Sequence, residues 1–171
     1  MRLADQTDTA SGFQVTFRHH VPEEERLSET DPLTIDVTYD RTELEVNDTV
    51  TATARVVNNL DAVAPMVILD LPVPAGFAIE PKDFDALIAA GTIAKYQVTP
   101  RSTIIYLRQI MPNQPLLLRY RLRATMPVKI QVPTAQAYLY YDPDVRGESE
   151  PVRMIVARGQ RVSEYLAARS R

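Results

Sequence analysis

The 171-residue chain contains no cysteine, only five glycines and two histidines, and a net charge of just −3. Without cysteine there is no thiol nucleophile, no internal thioester, no zinc–thiolate site and no disulfide. The small acidic balance gives no electrostatic footprint for nucleic acid or an anionic membrane. No apolar run approaches the roughly 20 residues of a membrane-spanning helix. The opening MRLADQTDTASG lacks the basic–apolar–small pattern of a secretory leader. Two settings remain: the cytoplasm, or a piece of a longer exported chain.

Catalytic sets are equally scarce. His19 and His20 are sequence neighbours, and successive strand residues point to opposite faces, so they do not share a metal ion. In YYDPDVRGE, Asp142, Asp144 and Glu148 lack EF-hand spacing and read as a solvated turn. Asp70 is the one acid in an apolar run, and if buried it needs a partner such as arginine or backbone donors. No second acid sits at a spacing that would pair with it for acid–base work. Ser102 and Ser163 have no nucleophile-elbow setting. The expectation is a non-enzyme with no metal and no cofactor.

What the chain does contain is period-two alternation and thirteen prolines, a balance suited to many turns and edge strands. Its length supports one domain able to bury roughly 70% of its unfolded surface. In GFQVTFRHH, Phe13, Val15 and Phe17 face one way; VPEEERLSETDP then reads as a linker. LTIDVTYD, TVTATARVV, MVILDL, IAKYQVT, STIIYL, PLLLRYRLRA, VKIQV, AQAYLYYD and PVRMIVA supply about nine strands. MVILDL, apolar on both faces except Asp70, is expected at the centre of a sheet covered on both sides. The fold expected is all-β, a two-sheet antiparallel sandwich with Greek-key links. Residues 1–22 form an N-terminal arm, 23–32 a linker and 33–158 the sandwich. The tail 159–171 carries Val162, Tyr165 and Leu166 at helical spacing.

One helix interrupts the strands. In EPKDFDALIAAG, Pro81 suits the first helical position, where its missing N–H is not needed. Asp83 and Asp85 are placed in the first turn, where the helix dipole favours negative charge. Phe84, Leu87 and Ile88 share a face, and Gly91 supplies the stop. The helix reads as a lid over an open end or edge of the sandwich. In PLLLRYRLRA, Leu116, Leu118, Tyr120 and Leu122 turn inward, while Leu117, Arg119, Arg121 and Arg123 line the outer face. Such a face, near a sheet edge, blocks aggregation or docks another domain.

The order MVILDLPVPAGFAI, proline-entered helix, YQVTPRSTIIYLRQI and AYLYYDPD resembles the C-terminal receptor-binding domain of α2-macroglobulins, those of bacterial α2-macroglobulin-like proteins in particular. The resemblance covers roughly Leu33 to Ala157. It implies a macroglobulin receptor-domain-like sandwich with one short helix on a crossover. It also implies that Phe13 to His20 are the last strand of a preceding CUB-like domain. The parent would be a large exported protease-trapping inhibitor, extracellular or periplasmic. There this domain docks on neighbouring domains of the same polypeptide and meets a captured protease only indirectly. The Cys-Gly-Glu-Gln thioester that many members use has no place in this chain. Animal members bind a clearance receptor through two lysines at the start of the helix. Here that region is EPKDFD, with Glu80 and Asp85 near the basic positions and only Lys82 basic, so receptor binding does not transfer. The candidate interaction surface is therefore Glu80, Lys82, Asp83, Asp85, Arg119, Arg121 and Arg123. The rival reading is an Ig-like stalk or adhesion module, for which the helix would be unnecessary. Tyr138 and Tyr140 raise a carbohydrate-binding role, though tyrosines so placed on a strand usually serve packing.

Overall fold

The computed structural model describes residues 31–158. The arm, most of the linker, His19–His20 and the tail lie outside them. Among the described residues there are twelve strands and one helix. Every longer strand expected from alternation between Leu33 and Ala157 is present, while the alternating GFQVTFRHH lies outside the described residues. β1 (Leu33–Tyr39) buries Leu33, Ile35 and Val37, and β3 (Thr49–Asn58) buries Val50, Ala52, Ala54 and Val56. Three strands of three residues each carry too little pattern to read: β2 (Glu43–Glu45), β5 (Phe77–Ile79) and β11 (Arg146–Glu148).

The body is a β-sandwich. One layer has the order β1-β3-β8-β5, with β8 at Leu116–Ala124. The other has the order β11-β10-β4-β7-β6. It comprises β4 (Ala64–Pro72), β6 (Lys95–Val98), β7 (Ser102–Ile110) and β10 (Gln136–Leu139). Pairing within both layers is antiparallel. A third, small sheet joins β2, β12 (Val152–Ala157) and β9 (Val128–Val132), with β2 and β12 parallel. It adds Leu44, Val132, Met154 and Val156 to the core. It lies by the end where β8 finishes, since Asn47 N–H donates to the Ala124 carbonyl.

β4 is the middle strand of its sheet, as its apolar run implies, but among the described residues no second layer covers its outer face. Ile68 is buried there between Tyr138 and Tyr106, its register neighbours on the flanking strands. Around them Lys95, Gln97 and Gln136 are exposed. Lateral packing by two aromatic side chains thus replaces the expected layer. Asp70 sits on this same face, half-buried between Gln136 and Ile104 in register, with no ion-pair partner among the described residues. The arginine sought for it is unnecessary because water still reaches the carboxylate.

The two lateral seams are closed differently. On one side the edge strands β1 and β11 come together. A Cβ added to Gly147 would stand 1.7 Å from the Leu33 carbonyl oxygen, so only glycine permits this backbone approach. On the other side the helix α1 (Pro81–Ala89), on the crossover from β5 to β6, fills the gap. Pro81 stands in the first turn and Glu80 is the extended N-cap residue, without a side-chain cap. The helix ends in a Schellman arrangement. Gly91, at φ 71°, donates to the Ile88 carbonyl, and Thr92 donates to Leu87.

Candidate interaction surface

The helix is held by a set of contacts that starts in the core. Phe84 is fully buried, with ring centroids 5.3 Å from Tyr120 of β8 and 5.2 Å from Tyr96 of β6. A single side chain therefore packs on both layers. Such tilted aromatic pairs add roughly 0.5–1.5 kcal/mol each beyond area burial. Leu87 is half-buried, and Ile88 is 40% exposed, contrary to its expected place in the lid. The nine-residue helix lies across the seam, so its inward stripe is narrower than the i, i+3, i+4 pattern suggested. Ile93, just past the helix, is buried instead.

Polar groups continue the strand ladder where β5 stops. Glu80 N–H donates to the Arg121 carbonyl at 3.0 Å. The Arg121 N–H, left without a strand partner on that side, is taken by Asp83 Oδ2 at 2.8 Å. The same carboxylate accepts the Arg121 side chain in a fork, Nε to Oδ2 at 3.0 Å and Nη2 to Oδ1 at 2.8 Å. This charge-assisted geometry is the strong form of the pair. These hydrogen bonds hold the Asp83 carboxyl below the usual carboxylate range and push the Arg121 guanidinium up. Asp85 stands in the second turn rather than the first, because the helix begins at Pro81. There it accepts the Tyr96 hydroxyl at 2.8 Å, which raises the Tyr96 pKa. Glu80 lies 3.9 Å from Arg123.

Of the seven candidate residues, Glu80, Asp83, Arg121 and Arg123 thus meet at the junction of helix and β8, while Asp85 turns to Tyr96 of the other layer. Lys82 and Arg119 have no ion-pair partner among the described residues. Beside Arg119, on the outer face of β8, Leu117 is 50% exposed. β8 lies one strand in from the edge, between β3 and β5. Tyr96 and Tyr120, which join helix to layers, were not singled out as helix partners from sequence. Alternation marks Tyr120 as an inward residue but not what it meets. Among the described residues no group of three or more His, Asp or Glu side chains converges as for a metal ion. Asp142 and Asp144 belong to the turn that Val145 N–H closes onto the Asp142 carbonyl. Tyr138 is half-buried, its pKa raised by burial and then by nearby Asp70 and Tyr106, while Tyr140 is 53% exposed. No described helix is long and apolar enough to cross a membrane.

A two-layer β-sandwich with one helix plugged into a seam, and an outer surface of ion pairs beside it, defines a structural domain. Residues 62–150, just over half of the chain, match the A-macroglobulin receptor binding domain, and the chain belongs to that family. It is 29% identical over 84 residues to Complement C3 of Eptatretus burgeri, a match covering 47% of this chain and 5% of that protein. Its fold is similar to Escherichia coli α2-macroglobulin spanning domain MG7 to the C-terminus, with TM-score 0.66 and 19% identity. That likeness covers 81% of this chain and 25% of the other. It is likewise similar to Salmonella α2-macroglobulin reacted with methylamine, at TM-score 0.63 and 19% identity, over 74% of this chain and 9% of that one. The chain therefore spans a quarter or less of each of these relatives.

Proposed function

We propose that this domain is a structural and interaction module of a large exported α2-macroglobulin-like protease-trapping protein, extracellular or periplasmic. It docks on neighbouring domains of its own polypeptide and contributes no chemistry. The observation that carries this reading is the family match over residues 62–150, on a chain spanning so small a share of its relatives. The helix surface supports it. Asp83, Glu80 and Asp85 are engaged by Arg121, Arg123 and Tyr96, which leaves the surface stiff and nearly neutral around Lys82, Arg119 and Leu117. A preordered surface of that kind loses little conformational entropy on docking. A captured protease would meet the domain only through the rest of the trap.

The stalk or adhesion reading is weakened by Phe84, which makes the helix part of the core rather than an ornament. Two experiments test the proposal. The isolated chain mixed with a panel of serine and metalloproteases should leave their cleavage of casein unchanged; inhibition by this chain alone overturns the reading. The reading frame upstream of Met1 should encode macroglobulin repeats and a helical thioester-type domain, whereas tandem copies of this sandwich would favour the stalk.

A further inference from the structure

We propose that Asn47 is an acceptor for N-linked glycosylation, its side-chain amide taking an oligosaccharide from a lipid-pyrophosphate donor. The inference rests on the exported setting proposed above, since such transfer takes place beyond the cytoplasm. The segment Glu45-Val46-Asn47-Asp48-Thr49 has the asparagine, a threonine two residues on and no proline between them. It also has a carboxylate two residues before the asparagine, which completes the extended acceptor pattern of bacterial transferases.

The structure separates the groups that hold this segment from those left free. Residues 45–48 form a tight turn between β2 and β3. Asp48 N–H donates to the Glu45 carbonyl at 3.0 Å, and the Asp48 carboxylate accepts the Glu45 N–H at 2.9 Å. Asn47 stands at the corner with φ 75°, which asparagine tolerates better than most residues. The backbone here is clamped to the end of β8. Asn47 N–H donates to the Ala124 carbonyl and Ala124 N–H to the Asp48 carbonyl, both at 2.8 Å. Val46 packs against the core. By contrast, the side chains of Glu45, Asn47 and Thr49 make no hydrogen bond or ion pair among the described residues, and Glu45 and Asn47 are exposed. The three side chains that the acceptor pattern uses are the three with no structural task.

The other asparagines show what selects Asn47. Asn58 is buried, with its amide donating to the Ala62 and Ile110 carbonyls. Asn59 spends its amide on the Asp31 carbonyl and the Thr34 hydroxyl. Asn113 is exposed and also has positive φ, 54°, but Met111 precedes it by two residues and Pro115 follows it by two. It shares the setting of Asn47 without the flanking groups. In the transfer, Asn47 Nδ2 bonds to the anomeric carbon of the donor sugar, and the bond from that carbon to the pyrophosphate oxygen breaks. The lipid pyrophosphate leaves with the electron pair, Nδ2 gives one of its two protons to a base of the transferase, and nothing is oxidised or reduced. An amide nitrogen shares its lone pair with its carbonyl and is a weak nucleophile. Seating therefore matters, with the Thr49 hydroxyl as hydrogen-bond partner and the Glu45 carboxylate as the charge the transferase grips.

The test sends the 171-residue chain, by an added leader, to the periplasm of bacteria carrying an oligosaccharyltransferase and its lipid-linked oligosaccharide. Mass spectrometry of tryptic peptides should find one glycan on Thr42–Arg55 and none on Gln109–Arg119, which contains Asn113. N47D tolerates the same φ and T49V keeps the shape of threonine. Each should abolish the glycan while leaving the urea midpoint near that of the parent. E45Q should lower occupancy several-fold, and T49S should retain it. A bare Thr42–Arg55 peptide in cells that glycosylate a control acceptor overturns the proposal, and so does equal occupancy of Asn113 or unchanged occupancy in E45Q. Because the leader supplies export, such a failure leaves the trap reading untouched. Finding the native protein in the cytoplasm would do the reverse, ending the trap reading and leaving a glycan gained in this test in place.

Discussion

Asp83 and Arg121 meet in a two-point fork at 2.8 and 3.0 Å, and Asp83 also accepts the backbone N–H of Arg121 at 2.8 Å. One carboxylate therefore finishes the strand ladder of β8 and fixes the entry of α1. A lysine at position 121 would keep the charge but lose the fork.

The pH dependence of this junction has a defined sign. The Asp83 carboxyl is held below its ordinary value, first by the Arg121 side-chain hydrogen bonds. Its contribution is present in full above the unfolded pKa of about 3.9 and is lost as pH falls through the lower folded value. D83N should therefore be less stable than the parent at pH 7. The difference should shrink steadily below about pH 4, read as the gap between urea midpoints. A gap constant down to pH 2 would show that the carboxylate's charge is not what holds the helix.

Phe84 is the plug. F84A removes a fully buried ring from the meeting point of both layers and should cost about 3–5 kcal/mol in urea unfolding. I88A, on the same helix but 40% exposed, should change stability by less than about 0.5 kcal/mol. Similar losses for both variants would mean that the helix is held by a stripe rather than by one residue.

The strands of the sandwich, the existence of the helix and the inward and outward faces of β8 were legible because each rests on local periodicity, whereas the helix's place on a crossover followed from the family resemblance. β8 reads Leu118, Tyr120 and Leu122 in and Arg119, Arg121 and Arg123 out, and the structure has this arrangement. The three-residue strands were not legible, since β2 and β11 each show one buried residue between two exposed ones. Ile88 was misplaced because periodicity gives the direction of an apolar stripe but not how far a neighbouring layer extends beneath it. The Asp83–Arg121 and Asp85–Tyr96 pairs span 38 and 11 residues of sequence, and no local pattern connects such partners.

Among the described residues the hydroxyl of buried Tyr120 has no protein partner, and neither has the buried hydroxyl of half-buried Tyr39 across Ala52. Burial pushes the Tyr39 pKa up to about 12 and that of Tyr120 up as well, with Tyr39 adding to the latter. Y120F removes an unpaired polar group and keeps the ring stacked on Phe84. It should be neutral or stabilising by up to about 1 kcal/mol. A loss larger than that would indicate a hydrogen bond to the Tyr120 hydroxyl, for instance through a water shared with Tyr39.

Gly147 and Gly91 look alike in sequence but differ physically. A Cβ at Gly91 meets nothing within 4 Å, so G91A suffers only its positive φ of 71°, a cost of roughly 1–2 kcal/mol. A Cβ at Gly147 would overlap the Leu33 carbonyl, which is backbone and cannot rotate away. G147A must push β11 off β1 and open the seam opposite the helix, so its cost should reach about 3 kcal/mol or more. Urea midpoints of the two variants decide the matter. If G147A is no worse than G91A, the two edge strands are not locked together, and the sandwich is sealed on the helix side alone.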